Sequence, residues 1–429
     1  MSHKKSPCMK KLLPISWLLP AIIVLCSGCI KDKVSRTYKI MRPVYADKAV
    51  VYNNVKSGPV EELSKPGKIF IRGNYLYINE VDKGIHIYDN SDPVNPRAIS
   101  FIKIPGNLDV AVSGHYLYAD MYTDLLTIDI ANPLDAKVVD SNFNVFPERN
   151  YGNGWIADQN TIIVDWIIKD TTVTDEPDYG YGYGFYAPNI CTSCLLAPQA
   201  SGGDSKANYV PGISGSMARF VVVNNYLYAV NNSSLLVYDI TDASNPEKVN
   251  EQFSGWSIET IYPFNNNLFI GSSSGMFIYS IDQPASPDQK GNFNHASACD
   301  PVISDGDYAY VTLRSGTACQ GYTNQLDVVD VSDLMSPHLV KSYQMTNPHG
   351  LAKDGNTLFI CDGEDGVKVY DATDVNDIKL VSHINGINAF DAIPWADRLI
   401  VSGEDGLHQY DYSDVQNIRS LSTIHISGK

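Results

Sequence analysis

The chain has 429 residues, 44% of them hydrophobic and 19% charged, a globular composition with material for one large core or several small ones. Its formal net charge of −16 argues against nucleic acid as a partner, because such an excess of acid repels a phosphate backbone, and it is equally what solubility alone asks for. Tyrosine outnumbers phenylalanine 27 to 13, the balance expected of many half-buried positions on β-rich surfaces.

The N-terminal stretch is separate in character. Met9 to Leu13 (MKKLL) is a basic start, Leu12 to Leu25 is almost wholly apolar, and Cys26-Ser27-Gly28-Cys29 follows. The apolar run is too short to span a bilayer, so residues 1–28 read as a secretory signal. Met9 offers a second start. The small residues before Cys29 resemble a bacterial lipobox, in which the cysteine is lipidated and becomes the mature N-terminus; Cys26 stands where that pattern has an aliphatic residue, and a plain signal peptide is the alternative. Ile30-Lys31-Asp32-Lys33 is similar to the export tags of surface lipoproteins in some Gram-negative bacteria. Residues 29–65, polar and aperiodic, then read as lipid anchor and tether. This expectation places the protein in the cell envelope as an outer-membrane lipoprotein, periplasmic or at the outer surface, held to the membrane by its N-terminal lipid.

From residue 66 one phrase returns. GIHIYDNSDPVNP ends at Pro96, LLTIDIANPLDA at Ala136, LLVYDITDASNP at Pro246, GMFIYSIDQPASP at Pro287 and LDVVDVSDLMSP at Pro337; VKVYDATDVNDI ends at Ile378 and LHQYDYSDVQNI at Ile418. The steps are 40, 110, 41, 50, 41 and 40 residues. In the second unit DVAV, HYLYAD, LLTIDI and AKVVD read as four short antiparallel strands broken by Ser113-Gly114 and Asn132-Pro133. Four strands every ~40 residues make a β-propeller blade, which must stack on neighbours to bury both faces. The chain is therefore all-β, a propeller domain over 66–429 with seven complete repeats. An incomplete unit at 154–174, GWIADQNTIIVDWIIKDTTVT, supplies the first two strands of an eighth, so the ring is seven- or eight-bladed. Asp92, Asp242, Asp333, Asp374 and Asp414 at the strand ends are expected to accept backbone N–H groups of a recurring turn. Residues 175–212 form a Gly/Tyr-rich insertion without strand or helix period.

LDVVDVSDLMSP and LLVYDITDASNP resemble the LVIVD-repeat proteins, secreted or lipid-anchored β-propellers of bacteria, over about residues 66 to 425. The resemblance implies a propeller and an envelope location. It carries no catalytic motif across.

Propellers bind at the channel mouth where first strands begin. Alignment on the first strands puts Asp109, Arg219, Asp300 and Asp391 at or near one level there, with Glu259 and His349 one residue earlier in their units. Such a cluster orients a polar ligand or merely solvates the channel; without a short-spaced ligand pair, no metal is expected. Cys299 and Cys319 share one repeat and one mouth, the setting of a disulfide in an oxidising compartment. Cys191 and Cys194 form a C-x-x-C that reads as a local disulfide in the absence of a thioredoxin-like context. Cys361 is left as a buried strand thiol, and Glu364-Asp365-Gly366 and Glu404-Asp405-Gly406 as hairpin turns. Tyr179, Tyr181, Tyr183 and Tyr186 either stack on a sugar or protein partner or belong to a flexible low-complexity loop. No G-x-S-x-G elbow or phosphate loop appears, and no cofactor is expected. The leading expectation is a non-catalytic propeller that binds a protein or glycan. The rival is a polysaccharide hydrolase or lyase using His349 and the mouth carboxylates as acid and base.

Overall fold

A computed structural model describes residues 34–147, 158, 160–175, 213–255, 257–295, 301–315 and 323–427. Seven antiparallel sheets of four consecutive strands form a ring, a seven-bladed β-propeller. The blades cover residues 66–103, 110–142, 220–253, 258–294, 302–344, 351–384 and 389–425.

Blade 2 shows how the sequence builds the unit. Val110–Ser113, Tyr116–Met121 and Asp124–Asp129 are buried along almost their whole length, whereas Lys137–Asn142 alternates exposed and half-buried residues. Strands covered on both faces by neighbouring blades need side chains such as Leu117, Leu126 and Ile128 all round, and the outermost strand needs them on one face only. Each such side chain withdrawn from water stabilises by roughly 1.5–3 kcal/mol. The cores therefore lie between blades: one cluster joins Phe269 and Ile278 of blade 4, Val311 and Val328 of blade 5, and Leu358 and Ile360 of blade 6. In all seven blades the ladder between the third and fourth strands slips by a bulge, as between Ile87 and Tyr88 or Val237 and Tyr238. A bulge there increases the twist of the outer strand.

First strands neighbour one another in chain order, and the ring closes between blades 7 and 1. Both of these blades are single uninterrupted stretches, so the seam is made by loops and side chains. Asn90 and Gln409 exchange amide hydrogen bonds of 2.9 and 2.8 Å, Ser422 Oγ donates to Pro93 O at 2.6 Å, and Ser427 N donates to Leu63 O at 2.7 Å.

Two sequence expectations change. The stretch at 154–174 is not the start of an eighth blade: Thr161–Asp175 is one strand, paired with Val34–Asp47 in a two-stranded sheet. The described part of the tether is also structured. Asp47 caps a short helix, Lys48–Tyr52, by accepting from Ala49 N at 2.8 Å, and Lys56–Gly58 adds a strand outside blade 1. Lys48 and Tyr52 both reach the buried Asp124 at 2.6 Å, which fixes the helix on blade 2. Residues 43–165 and 185–429 make up the ring unit; residues 1–42 and 166–184 form a second unit, whose described part is ribbon with Thr37 and Thr172 hydroxyls 3.0 Å apart.

Candidate functional site

The mouth residues Asp109, Arg219 and Asp391 do occupy one level, joined there by Lys68 of blade 1, whose position in its repeat is that of Asp109. Lys68 Nζ contacts Asp109 Oδ2 at 2.6 Å, and the same oxygen accepts from Arg219 N at 2.8 Å. The other oxygen accepts from Val110 N. Arg219 lays its guanidinium over the Phe146 ring, 4.7 Å from the centroid. Burial pushes the Lys68 ammonium down, with the Asp109 charge pulling it back. Lys68, Asp109, Arg219 and Asp391 are 4, 1, 9 and 1% exposed, so this belt is sealed inside the ring.

The seal is the chain itself. Ile213–Ser214 pairs antiparallel with the free inner edge of blade 1, Ile213 opposite Ile71 and Ser214 opposite Phe70. Ser216, fully buried, then takes a hydrogen bond from Leu351 N of blade 6 at 3.3 Å and lies beside Asp391 of blade 7. Ala218 O accepts from Ile261 N of blade 4. The segment 213–218 thus crosses the axis on its way into blade 3. Burial pushes the Asp391 carboxyl well above the usual range, opposed by a bond from Ala392 N, by Lys68 and by Ser216. Its Oδ2 is buried without a hydrogen-bond partner among the described residues.

His349 and Glu259 meet through a residue that the repeat alignment did not single out. Arg314 lies 2.7 and 3.0 Å from the two ring nitrogens of His349, and the charge of Glu259 supports the guanidinium against its burial. Asn347 Nδ2 is 3.2 Å from His349 Nε2, and Phe390 packs at 5.5 Å between centroids. Burial, reinforced by Arg314, pushes the His349 imidazole down to about 3. A histidine that is neutral at pH 7 and this weakly basic is a poor general acid and a poor general base. Asp300, Cys29, Cys191, Cys194, Cys299, Cys319, Tyr179, Tyr181, Tyr183 and Tyr186 lie outside the described residues. Among those described, no three His, Cys, Asp or Glu residues are placed to hold a metal ion. No described helix is long and apolar enough to cross a membrane.

The model of the LVIVD repeat matches residues 65–100, 107–137, 214–254 and 297–345. The chain carries LVIVD repeats. None of the curated proteins matches it. Among solved structures, the computationally designed Ika8 protein is similar over 85% of this chain and 88% of its own, at 9% identity and TM-score 0.51. A functionally unknown protein from Desulfotomaculum acetoxidans is similar over 84% and 96%, at 11% identity and TM-score 0.51. At such identities the likeness is one of fold.

The LVIVD phrase has two jobs in this ring. Its paired acidic residues do make the expected turns: Asp239 accepts from Thr241 N and Asp242 from Ser244 N, and Asp92, Asp333, Asp374 and Asp414 repeat the second bond. The loop so shaped also presents carbonyls to the preceding blade, which the sequence pattern did not reveal. Tyr118 OH donates to Ala243 O, Tyr228 OH to Pro284 O, Asn142 Nδ2 to Pro246 O and Gln252 Nε2 to Pro287 O. The acidic turns of blades 6 and 7 carry Gly366 and Gly406 at φ 75° and 143°, as expected, and Cys361 is a buried free thiol.

Proposed function

We propose that this protein is a lipoprotein of the bacterial cell envelope, anchored through Cys29 at the outer membrane, whose LVIVD propeller binds a protein or glycan partner without catalysing a reaction on it. The observation that carries this reading is the use made of the mouth residues. Asp109, Arg219 and Asp391 serve Lys68, Phe146 and Ser216, while His349 serves Arg314, so the polar groups that would do chemistry at the axis hold blades together instead. The chain reaches that axis directly from the Gly/Tyr-rich stretch 175–212, whose Tyr179, Tyr181, Tyr183 and Tyr186 are the groups we assign to partner recognition.

Two experiments test the parts separately. Radiolabelled palmitate should enter the wild type and not Cys29→Ala, which should leave the membrane fraction; equal labelling of both would remove the lipid anchor. Glycan arrays and pull-downs should return a partner for the protein from residue 30 onward that is lost when residues 176–212 are replaced by a short Gly-Ser linker with unchanged melting temperature. Retained binding would move recognition to the blades. Turnover of a polysaccharide by the wild type that His349→Ala abolishes would overturn the non-catalytic reading.

A further inference from the structure

On the face opposite the sealed mouth, where first strands turn into second strands, a cavity of about 550 Å³ opens at the seam between blades 5 and 6. At this seam the tyrosine bond to the next blade's loop comes from the outer strand, Tyr343 OH donating to Val375 O at 2.7 Å. Tyr118 and Tyr228, second-strand residues of blades 2 and 3, bond the loop of the next blade at 2.9 Å each. Tyr310 holds the same position in blade 5 but turns its hydroxyl to Asp305 Oδ2 of its own blade, 2.9 Å away. Lys353 Nζ reaches that oxygen from blade 6 at 2.8 Å.

The lining departs from the repeat where it matters. The residue before the first turn is Arg72, Ser113, Val223, Phe264 or Trp395 in five blades, and aspartate, Asp305 and Asp354, only in the two that meet here. Lys353 stands where the other repeats have Ile71, Val112, Val222, Pro263, Ser304 and Pro394. With the exposed Asp307, the cavity carries three carboxylates against one ammonium, and that ammonium is already paired with Asp305. Asp354 gives one oxygen to Tyr412 OH at 2.6 Å and is otherwise exposed. Phe264 and Tyr308 supply aromatic wall beside these acids. Such a cavity favours a positive charge on an apolar arm, held by carboxylates and by ring faces.

We propose that this cavity binds an organic cation of the amine class, either a free alkylamine or the lysine side chain of a polypeptide. The site is independent of the partner-binding stretch proposed above. Calorimetric titration of the full-length protein with cadaverine and with an acetylated tri-lysine peptide tests it, with pentanol and glutarate as neutral and anionic controls. Saturable binding of cadaverine, weakened by salt, is expected; tighter binding of the peptide identifies a polypeptide as the source, and the reverse a free amine. Asp307→Asn and Asp354→Asn should each weaken binding about two- to fivefold, as partly exposed charge pairs do, and about tenfold together. Asp307 is exposed and Asp354→Asn keeps an acceptor for Tyr412, so both variants are expected to fold; should the double variant melt early, Asp307→Asn alone decides. Replacing residues 176–212 should leave cadaverine binding intact. Equal affinity in the wild type and the aspartate variants, or binding of glutarate in preference to cadaverine, would overturn the proposal.

Discussion

The seam between the first and last blades offers a sharp test of how this ring is held closed. Asn90 and Gln409 are 5 and 0% exposed and satisfy each other through two amide hydrogen bonds. At five of the six other seams their equivalents carry no amide and are mainly apolar, Ile87 and Ile130, Val237 and Ile281, Ile278 and Val331, Val328 and Ala372, Val369 and Tyr412, and at the sixth they are Thr127 and Ile240. Removing one partner should strand a buried amide, since Asn90 has Gln409 as its side-chain partner and Gln409 keeps only a 3.3 Å contact with Ser422. Each of Asn90→Val and Gln409→Val should therefore cost about 1–3 kcal/mol. The double variant recreates the apolar pairing of most other seams and should cost little more than either single change, because neither amide is left behind. Urea unfolding of the four proteins gives the coupling energy, expected at about 1–3 kcal/mol. Additive losses would refute the claim that the two amides act as a pair. A double variant that remains monomeric and well folded would further show that the polar pair is not required to specify closure.

The remaining predictions concern acid stability and blade contact. His349 has its pKa pushed down to about 3, so the unfolded chain binds more protons than the native one between there and the ordinary value near 6.5; stability must fall as pH drops through that window, by up to about 1.4 kcal/mol per unit. Glu80, lowered to about 2 although its burial alone would raise it, loses its contribution only below its unfolded pKa near 4.5. Melting curves of His349→Gln should therefore be flatter than wild type between pH 6.5 and 4.5, and parallel slopes there would reject a buried neutral histidine. Gly291 of blade 4 lies so close to blade 5 that an added Cβ would sit 2.1 Å from Leu334 O. Gly291→Ala should cost about 1–3 kcal/mol by pushing the seam apart, measured by urea unfolding, and a neutral result would mean that the blades slide freely.

How far the sequence could be read follows from the range of the interactions involved. The four strands of a blade are neighbours in the chain, so Val110–Ser113 through Lys137–Asn142 could be found from local alternation and a recurring Asp/Asn-Pro turn. The partner of Thr161–Asp175 is Val34–Asp47, far away in sequence, and local pattern therefore suggested the start of another blade. Asp158 accepts from Asn160 N and Thr161 N at the start of that strand. At the mouth, alignment of first strands puts Asp109, Arg219 and Asp391 at one level, where the structure also has them, and Lys68 was available by the same rule, a lysine opening an inner strand of otherwise apolar residues. Ser216 gave no such signal. Its role depends on where the chain re-enters the ring after a long connection, and nothing in Gly215-Ser216-Met217 encodes that path.

The same logic separates scaffold from function in this ring. Interactions that recur with the period, such as the aspartate turns, must serve what every blade needs, namely its own shape and its contact with a neighbour. Departures from the period need another cause. Asn90 and Gln409 depart at the one seam where the first and last blades must meet, so closure accounts for them. Lys68, Asp109 and Asp391 depart at the axis, where Ile213–Ala218 crosses and requires polar partners for its backbone and for Ser216. Asp305, Asp354 and Lys353 depart at an interior seam that neither closes the ring nor meets the crossing segment. A substitution of three acidic or basic groups for apolar ones costs stability unless the groups are satisfied. Here the Tyr310 hydroxyl turns to Asp305 while Tyr343 OH takes over the bond to the next blade's loop at Val375 O, and an open acidic cavity lies beside them.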